Sequence, residues 1–106
     1  MKNILVVFPT GVEKLDVQIL KSCQDLTQTE HIDAVLILET VDEASIVKFK
    51  EQLQKKLDID GEVETHEEDR LVQGLEMIGA QRGDRLFFAR DEGIEETTFD
   101  RNALDI

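Results

Sequence analysis

Five successive apolar residues, Ile4 to Phe8, stop at Pro9, Thr10 and Gly11, and this junction restricts the fold more than any other stretch. So short a run, rich in β-branched side chains, reads as a strand buried on both faces, as found inside a parallel sheet. Pro9 has no N–H to give a ladder, and Gly11 accepts dihedrals that other residues resist, so the strand ends there. Beyond it Val12, Leu15, Ile19, Cys23 and Leu26 recur every three or four positions, which predicts a helix to about Gln28. Thr10 or Gly11 is its expected N-cap, with Glu13 in the first turn. A buried strand turning into a helix is half of a βαβ unit, and open α/β sheets bind ligands at the carboxyl ends of such strands.

The rest of the chain repeats the unit. Ala34 to Leu38 is a second continuous apolar run, and Thr40-Val41-Asp42-Glu43 has the S/T-x-x-E form of a capping box. The second helix should bury Ile46, Phe49 or Val47, Leu53 and Leu57, expose Glu51 and Lys55, and end at Asp60-Gly61. Glu62 to His66 alternates, placing Val63 and Thr65 on one side, as in an edge strand defended by charge. Leu71, Leu75 and Ile78, with Val72 and Met77, mark a third helix expected to stop at Gly83. Leu86 to Ala89 is a fourth buried strand.

Regularity fails beyond Arg90, where Asp91 to Ile106 holds six acids and one base. This stretch could cross the sheet, add a last strand or stay partly disordered. The organisation is therefore a single α/β domain over 1–93 and an acidic tail or final edge element over 94–106. The order βαβαβαβ implies a parallel sheet wrapped on both faces through right-handed crossovers.

Charge narrows the function classes. The 106 residues carry 24 Asp and Glu against 12 Lys and Arg, a formal charge of −12. Such a chain repels phosphate backbones and anionic lipid, which disfavours nucleic-acid and membrane partners, and it suits a basic protein or plain solubility. No apolar run approaches the roughly 20 residues of a membrane span. Ile4 to Phe8 is too short for a signal-peptide core, and one cysteine, Cys23, permits no internal disulfide; both favour the cytoplasm. With no Trp or Tyr, the five Phe must serve core and interface alike.

The opening Met1-Lys2-Asn3-Ile4-Leu5-Val6-Val7 resembles the first strand of the universal stress protein family. The stretch from Leu71-Val72 through Ile78-Gly79-Ala80-Gln81-Arg82-Gly83-Asp84-Arg85 to Leu86-Phe87-Phe88-Ala89 is similar to its last helix–strand unit. Element order and spacing agree over about residues 1–93. The resemblance implies a Rossmann-like, three-layer α/β/α fold. Its sheet would be mainly parallel, with four or five strands in the order 3-2-1-4, or 3-2-1-4-5 if the tail adds one. Two departures oppose ATP binding of the family's usual kind. No Asp follows the first strand in Phe8-Pro9-Thr10-Gly11. Where the family has a G-x2-G-x9-G-S/T loop, Ala89 to Thr98 offers one glycine and four carboxylates.

The resemblance makes strands one and four neighbours, so Thr10, Gly11 and Arg90 would gather at a switch-point crevice, with Val41 past strand two as a fourth candidate. They are candidate ligand-binding residues, or else a turn Thr, a cap Gly and a surface Arg. His66-Glu67-Glu68-Asp69 could ligate a divalent cation, perhaps with Asp58 and Asp60, or could start the third helix. Cys23 reads as a packed small hydrophobe and His31 has no evident partner. No spacing marks a general acid/base pair, no catalytic residue or metal site is assigned, and no cofactor is expected. The expected role is ATP-independent, stress-related or regulatory, through a homodimer or a protein partner; the alternative is a small-molecule or nucleotide-binding domain using the crevice.

Overall fold

The computed structural model describes residues 1–100. They form β1 (Asn3–Val7), α1 (Glu13–Thr29), β2 (Ala34–Glu39), α2 (Glu43–Lys56) and β3 (Glu62–Glu67). A 3-10 turn (Glu68–Arg70), α3 (Leu71–Met77), β4 (Arg85–Arg90) and β5 (Gly93–Thr98) follow. The architecture is α/β: one five-stranded sheet of order β3-β2-β1-β4-β5, parallel except for β5, which runs antiparallel to β4. This agrees with a Rossmann-like arrangement.

The continuous apolar runs have a simple cause. Along β1 the alternation sends Leu5 and Val7 to one cluster, with Ile19, Leu20 and Cys23 of α1 and Ile46, Phe49 and Leu53 of α2. Ile4 and Val6 join the other cluster, with Leu36, Leu86, Phe99, Leu75 of α3 and its C-cap Ile78. All four β1 residues have 0% exposure, so a polar residue anywhere from Ile4 to Val7 would be buried without a partner. Met77, expected among the apolar set of the third helix, is 74% exposed instead. Of the two alternatives in α2, Phe49 is buried and Val47 faces outward.

Helix ends depart from expectation in instructive ways. α1 takes Val12 as N-cap with no side-chain cap bond, and neither Thr10 nor Gly11 fills that position. α2 is capped by Asp42, whose carboxylate accepts from Ser45 N at 3.2 Å and Ser45 Oγ at 2.8 Å, so the capping box at Thr40 does not form. Thr40 instead donates its hydroxyl to the Pro9 carbonyl. α2 stops at Lys56, and Gly61 serves another purpose: a Cβ there would lie 1.7 Å from the Asp33 carbonyl oxygen, where β3 enters beside β2.

α3 is shorter than its apolar spacing predicts because Gly79, at φ +85°, ends it. Its N–H donates to Glu76 O and Ala80 N donates to Leu75 O, the paired bonds of a Schellman motif. Gly83 lies in the following turn and donates to Phe99 O.

Two aspartates pin the lower edge of the sheet. Asp84, 5% exposed, accepts from Lys2 N at 3.0 Å and Gln81 N at 2.9 Å, and Asp33 accepts from Asn3 N at 2.8 Å. Arg85 ties α1 to β5 by pairing with Glu30 at 2.9 Å and Glu96 at 3.0 Å, and those carboxylates hold its guanidinium charge more firmly still. Of the stretch expected as tail or edge element, Gly93–Thr98 is strand β5 and Phe99 is core; 101–106 lie outside the described residues.

Candidate functional site

The carboxyl ends of the four parallel strands lie on one edge of the sheet, where the loops after β1 and β2 are in contact. The β1–α1 loop bends at Gly11, with φ +79°. That leaves the N–H groups of Thr10 and Gly11 pointing together near the start of α1, an arrangement able to hold an anion. The anion present is the chain's own. Asp16 Oδ1 accepts from Thr10 N at 2.8 Å and from Thr10 Oγ1 at 2.7 Å, while Oδ2 accepts from Gly11 N at 3.1 Å. Val12 N completes the turn by donating to Thr10 Oγ1 at 3.1 Å.

The neighbouring loop closes against this one. Thr40 bonds to Pro9, and a Cβ on Gly11 would meet Val41 Cγ1 at 3.2 Å. Thr10, Gly11 and Val41 therefore come together as expected. They meet as a self-satisfied junction: Gly11 gives Val41 room to pack, and the donors of Thr10 are occupied. A small cavity of about 100 Å³ beside it is lined by Gly11, Glu13, Asp16, Ser45, Lys48, Phe49 and Gln52. Two carboxylates, Glu13 and Asp16, against one ammonium, Lys48, leave the lining net negative, which opposes a phosphate.

Arg90 stands apart. β1 and β4 are neighbours, as the resemblance implied, with Val7 beside Ala89. The Arg90 guanidinium lies 4.1 Å from the centroid of Phe8 and 5.6 Å from that of Phe88. The two rings meet edge to face at 6.0 Å. Arg90 lines a separate cavity of about 430 Å³ with Glu92, Gly93, Ile94 and Glu95. The cavity beside Gly11 and the one beside Arg90 have no lining residue in common.

The acidic tetrad divides as well. His66 turns beneath α3, where Gly74 leaves room for its ring, and its Nε2 is buried with no hydrogen-bond partner. Glu67 pairs with Arg70, and Glu68 and Asp69 open the 3-10 turn. With Glu39, the three acids line a cavity of about 490 Å³. Among the described residues no group of three or more His, Cys, Asp or Glu is placed to hold a metal ion. Cys23 is fully buried, and the loss of solvation pushes its thiol pKa up to about 12, which leaves it without thiolate. His31 does have a partner, Asp33 at 3.4 Å.

Sequence reasoning missed Asp16, which controls the loop, and the Phe8–Phe88–Arg90 stack. An acid six positions after a Thr-Gly turn, in the first turn of the helix, is a signal for the former; the latter depends on strand register. Compared with protein-family models, with curated proteins and with solved structures, the chain shows no match.

Proposed function

We propose that this chain is a universal-stress-protein-like cytoplasmic protein of three-layer α/β/α, Rossmann-like build, with a stress-related or regulatory role that does not use ATP. It acts by association, as a homodimer or with a protein partner. The observation that carries this reading is the Asp16 carboxylate on the loop donors of Thr10 and Gly11. A phosphate approaching that loop finds its hydrogen bonds taken and a negative charge in its place. The acidic β4–β5 hairpin where the family has its glycine loop supports the same conclusion, as does a net charge of −12. That charge also disfavours nucleic acid and anionic membranes as partners, and no helix among the described residues is long and apolar enough to cross a membrane.

Light scattering coupled to size exclusion tests association. A concentration-dependent mass above that of the monomer supports the homodimer, whereas a strict monomer leaves only a protein partner. Thermal unfolding with and without ATP and magnesium tests the other half, and a clear rise in melting temperature would overturn ATP independence.

A second reading has its own observation. Arg90 makes no ion pair among the described residues and lines a cavity of about 430 Å³, so a small anionic molecule could bind there. Stabilisation by small carboxylates or phosphate that Arg90→Ala abolishes would favour this reading over association.

A further inference from the structure

The sheet ends on one side at β3, a strand of six residues paired with β2 along its whole length. In a parallel pair every second residue turns its N–H and C=O toward the neighbouring strand, and those between turn theirs away. Among the described residues, Glu62 to His66 make no backbone hydrogen bond beyond those of the β2 ladder. The outward groups therefore form a row of donors and acceptors open to a further strand.

Alternation gives the two sides of that row different chemistry. Val63 packs against the α1–α2 cluster, and Thr65 shares its side. Glu62 and Glu64 lie beside Ala34 and Leu36, on the α3 side. There a cavity of about 230 Å³ has Glu62, Glu64 and His66 along one wall and Met77 and Ile78 along another. Both glutamates are exposed and neither has an ion pair among the described residues; Arg70 is held by Glu67, and Lys55 and Lys56 end a helix on the opposite face. Met77, 74% exposed, stands at the same cavity. The other open edge, β5, is less suited to a base: its Glu96 is spent on Arg85, and Arg90 lines the cavity next to it.

We propose that the open edge of β3 takes an extended basic segment of a protein partner as a sixth strand. Main-chain hydrogen bonds hold the segment, and alternate side chains set its specificity. Lysines or arginines two positions apart meet Glu62 and Glu64, which are roughly 6.6 Å apart at about 3.3 Å per residue. One of these side chains lays its alkyl stem on Met77 and Ile78 in the cavity and brings its charge to the glutamates. The residues between them are apolar and β-branched, and rest beside Val63 and Thr65. This rests on the association reading and names its surface. A second copy is disfavoured, because β3 against β3 would set glutamate near glutamate.

The test uses the full chain and a labelled peptide of about eight residues in which Lys and Val alternate, long enough to cover β3. Anisotropy is read at about 150 mM salt, where distant charges are screened. Saturable binding is expected, with amide shifts centred on Glu62 to Glu67. Two further peptides carry backbone N-methyl groups, one at every Lys and one at every Val. Because alternate N–H groups point to opposite edges of a strand, one of the two should lose at least about tenfold in affinity and the other should bind like the parent. Glu62→Lys with Glu64→Lys should raise Kd about tenfold. Asp25→Lys with Glu51→Lys makes the same charge change at exposed positions of α1 and α2 and should alter Kd by less than about twofold.

Equal affinity of the two N-methylated peptides, or equal weakening by the two pairs of substitutions, would overturn the proposal, since charge alone would then be read. Shifts centred on Gly93 to Thr98, or on α1 and α2, would overturn this edge and leave the association reading standing. Absence of peptide binding would also overturn the proposal, and light scattering would then decide the homodimer by itself.

Discussion

Asp16→Ala removes one carboxylate and three hydrogen bonds, those from Thr10 N, Thr10 Oγ1 and Gly11 N. A hydrogen bond to a charged group contributes about 1.5–3 kcal/mol. The three bonds share one acceptor and the loop is partly open to water, so they do not add. A combined loss of about 2–3 kcal/mol is expected. For a domain of this size each kcal/mol lowers Tm by roughly 4–8 °C, so melting should fall by about 10–20 °C. Far-UV circular dichroism in urea is the suitable assay, because the chain has no Trp or Tyr to report by fluorescence. Asp16→Asn, which keeps one acceptor oxygen, should lose about half as much. With the carboxylate gone, Thr10 and Gly11 expose their donors, and millimolar phosphate should restore part of the lost stability. A loss below about 0.5 kcal/mol would refute the reasoning, since water would then satisfy the loop as well as Asp16 does.

Three further perturbations probe other parts of the fold. Gly61→Ala sets a Cβ 1.7 Å from the Asp33 carbonyl oxygen, a backbone atom; a loss of at least about 2 kcal/mol in urea is expected, and a neutral result would show that β3 enters differently. Gly74→Ala gains about 1 kcal/mol of helix propensity but brings a Cβ 2.9 Å from His66 Cδ2, so net destabilisation is expected, and His66→Ala in the same chain should relieve it in a double-mutant cycle. Hydrogen bonds from Ser45 lower the pKa of Asp42 and those from Arg85 lower that of Glu96, below ordinary values of 3.8 and 4.5. Depressed folded-state pKa values mean stability present above about pH 4.5 and lost as pH falls through the folded values, so urea midpoints of Ser45→Ala should drop less between pH 6 and 3 than those of the parent chain.

Much of the architecture was legible in local chemistry. Ile4 to Phe8, Ala34 to Leu38 and Leu86 to Ala89 read as central strands because a strand buried on both faces cannot alternate, and their neighbours in the sheet leave no polar position. Glu62 to His66 read as an edge because charge is tolerated only where one side stays open. Helix ends were less legible. Thr40 has the right type and spacing for a cap, yet its hydroxyl goes to Pro9 of a different loop, and Asp42 caps in its place. Gly79 and Gly83 are both suited to a left-handed turn, and only the packing of Leu75 and Ile78 against the sheet decides which one ends α3.

The candidate residues separate along the same line. That Thr10 and Gly11 end a buried strand and open a helix follows from residue type: Pro9 and Gly11 cannot continue β1, and the three- and four-residue spacing that follows can only be a helix. That their donors are spent on Asp16, and that Arg90 stacks on Phe8 away from them, follows from register and loop closure. Strand type is a short-range property of side-chain burial. Hydrogen-bond partners and shared cavities depend on which loops the β3-β2-β1-β4-β5 order brings within about 3 Å, and no local pattern encodes that distance.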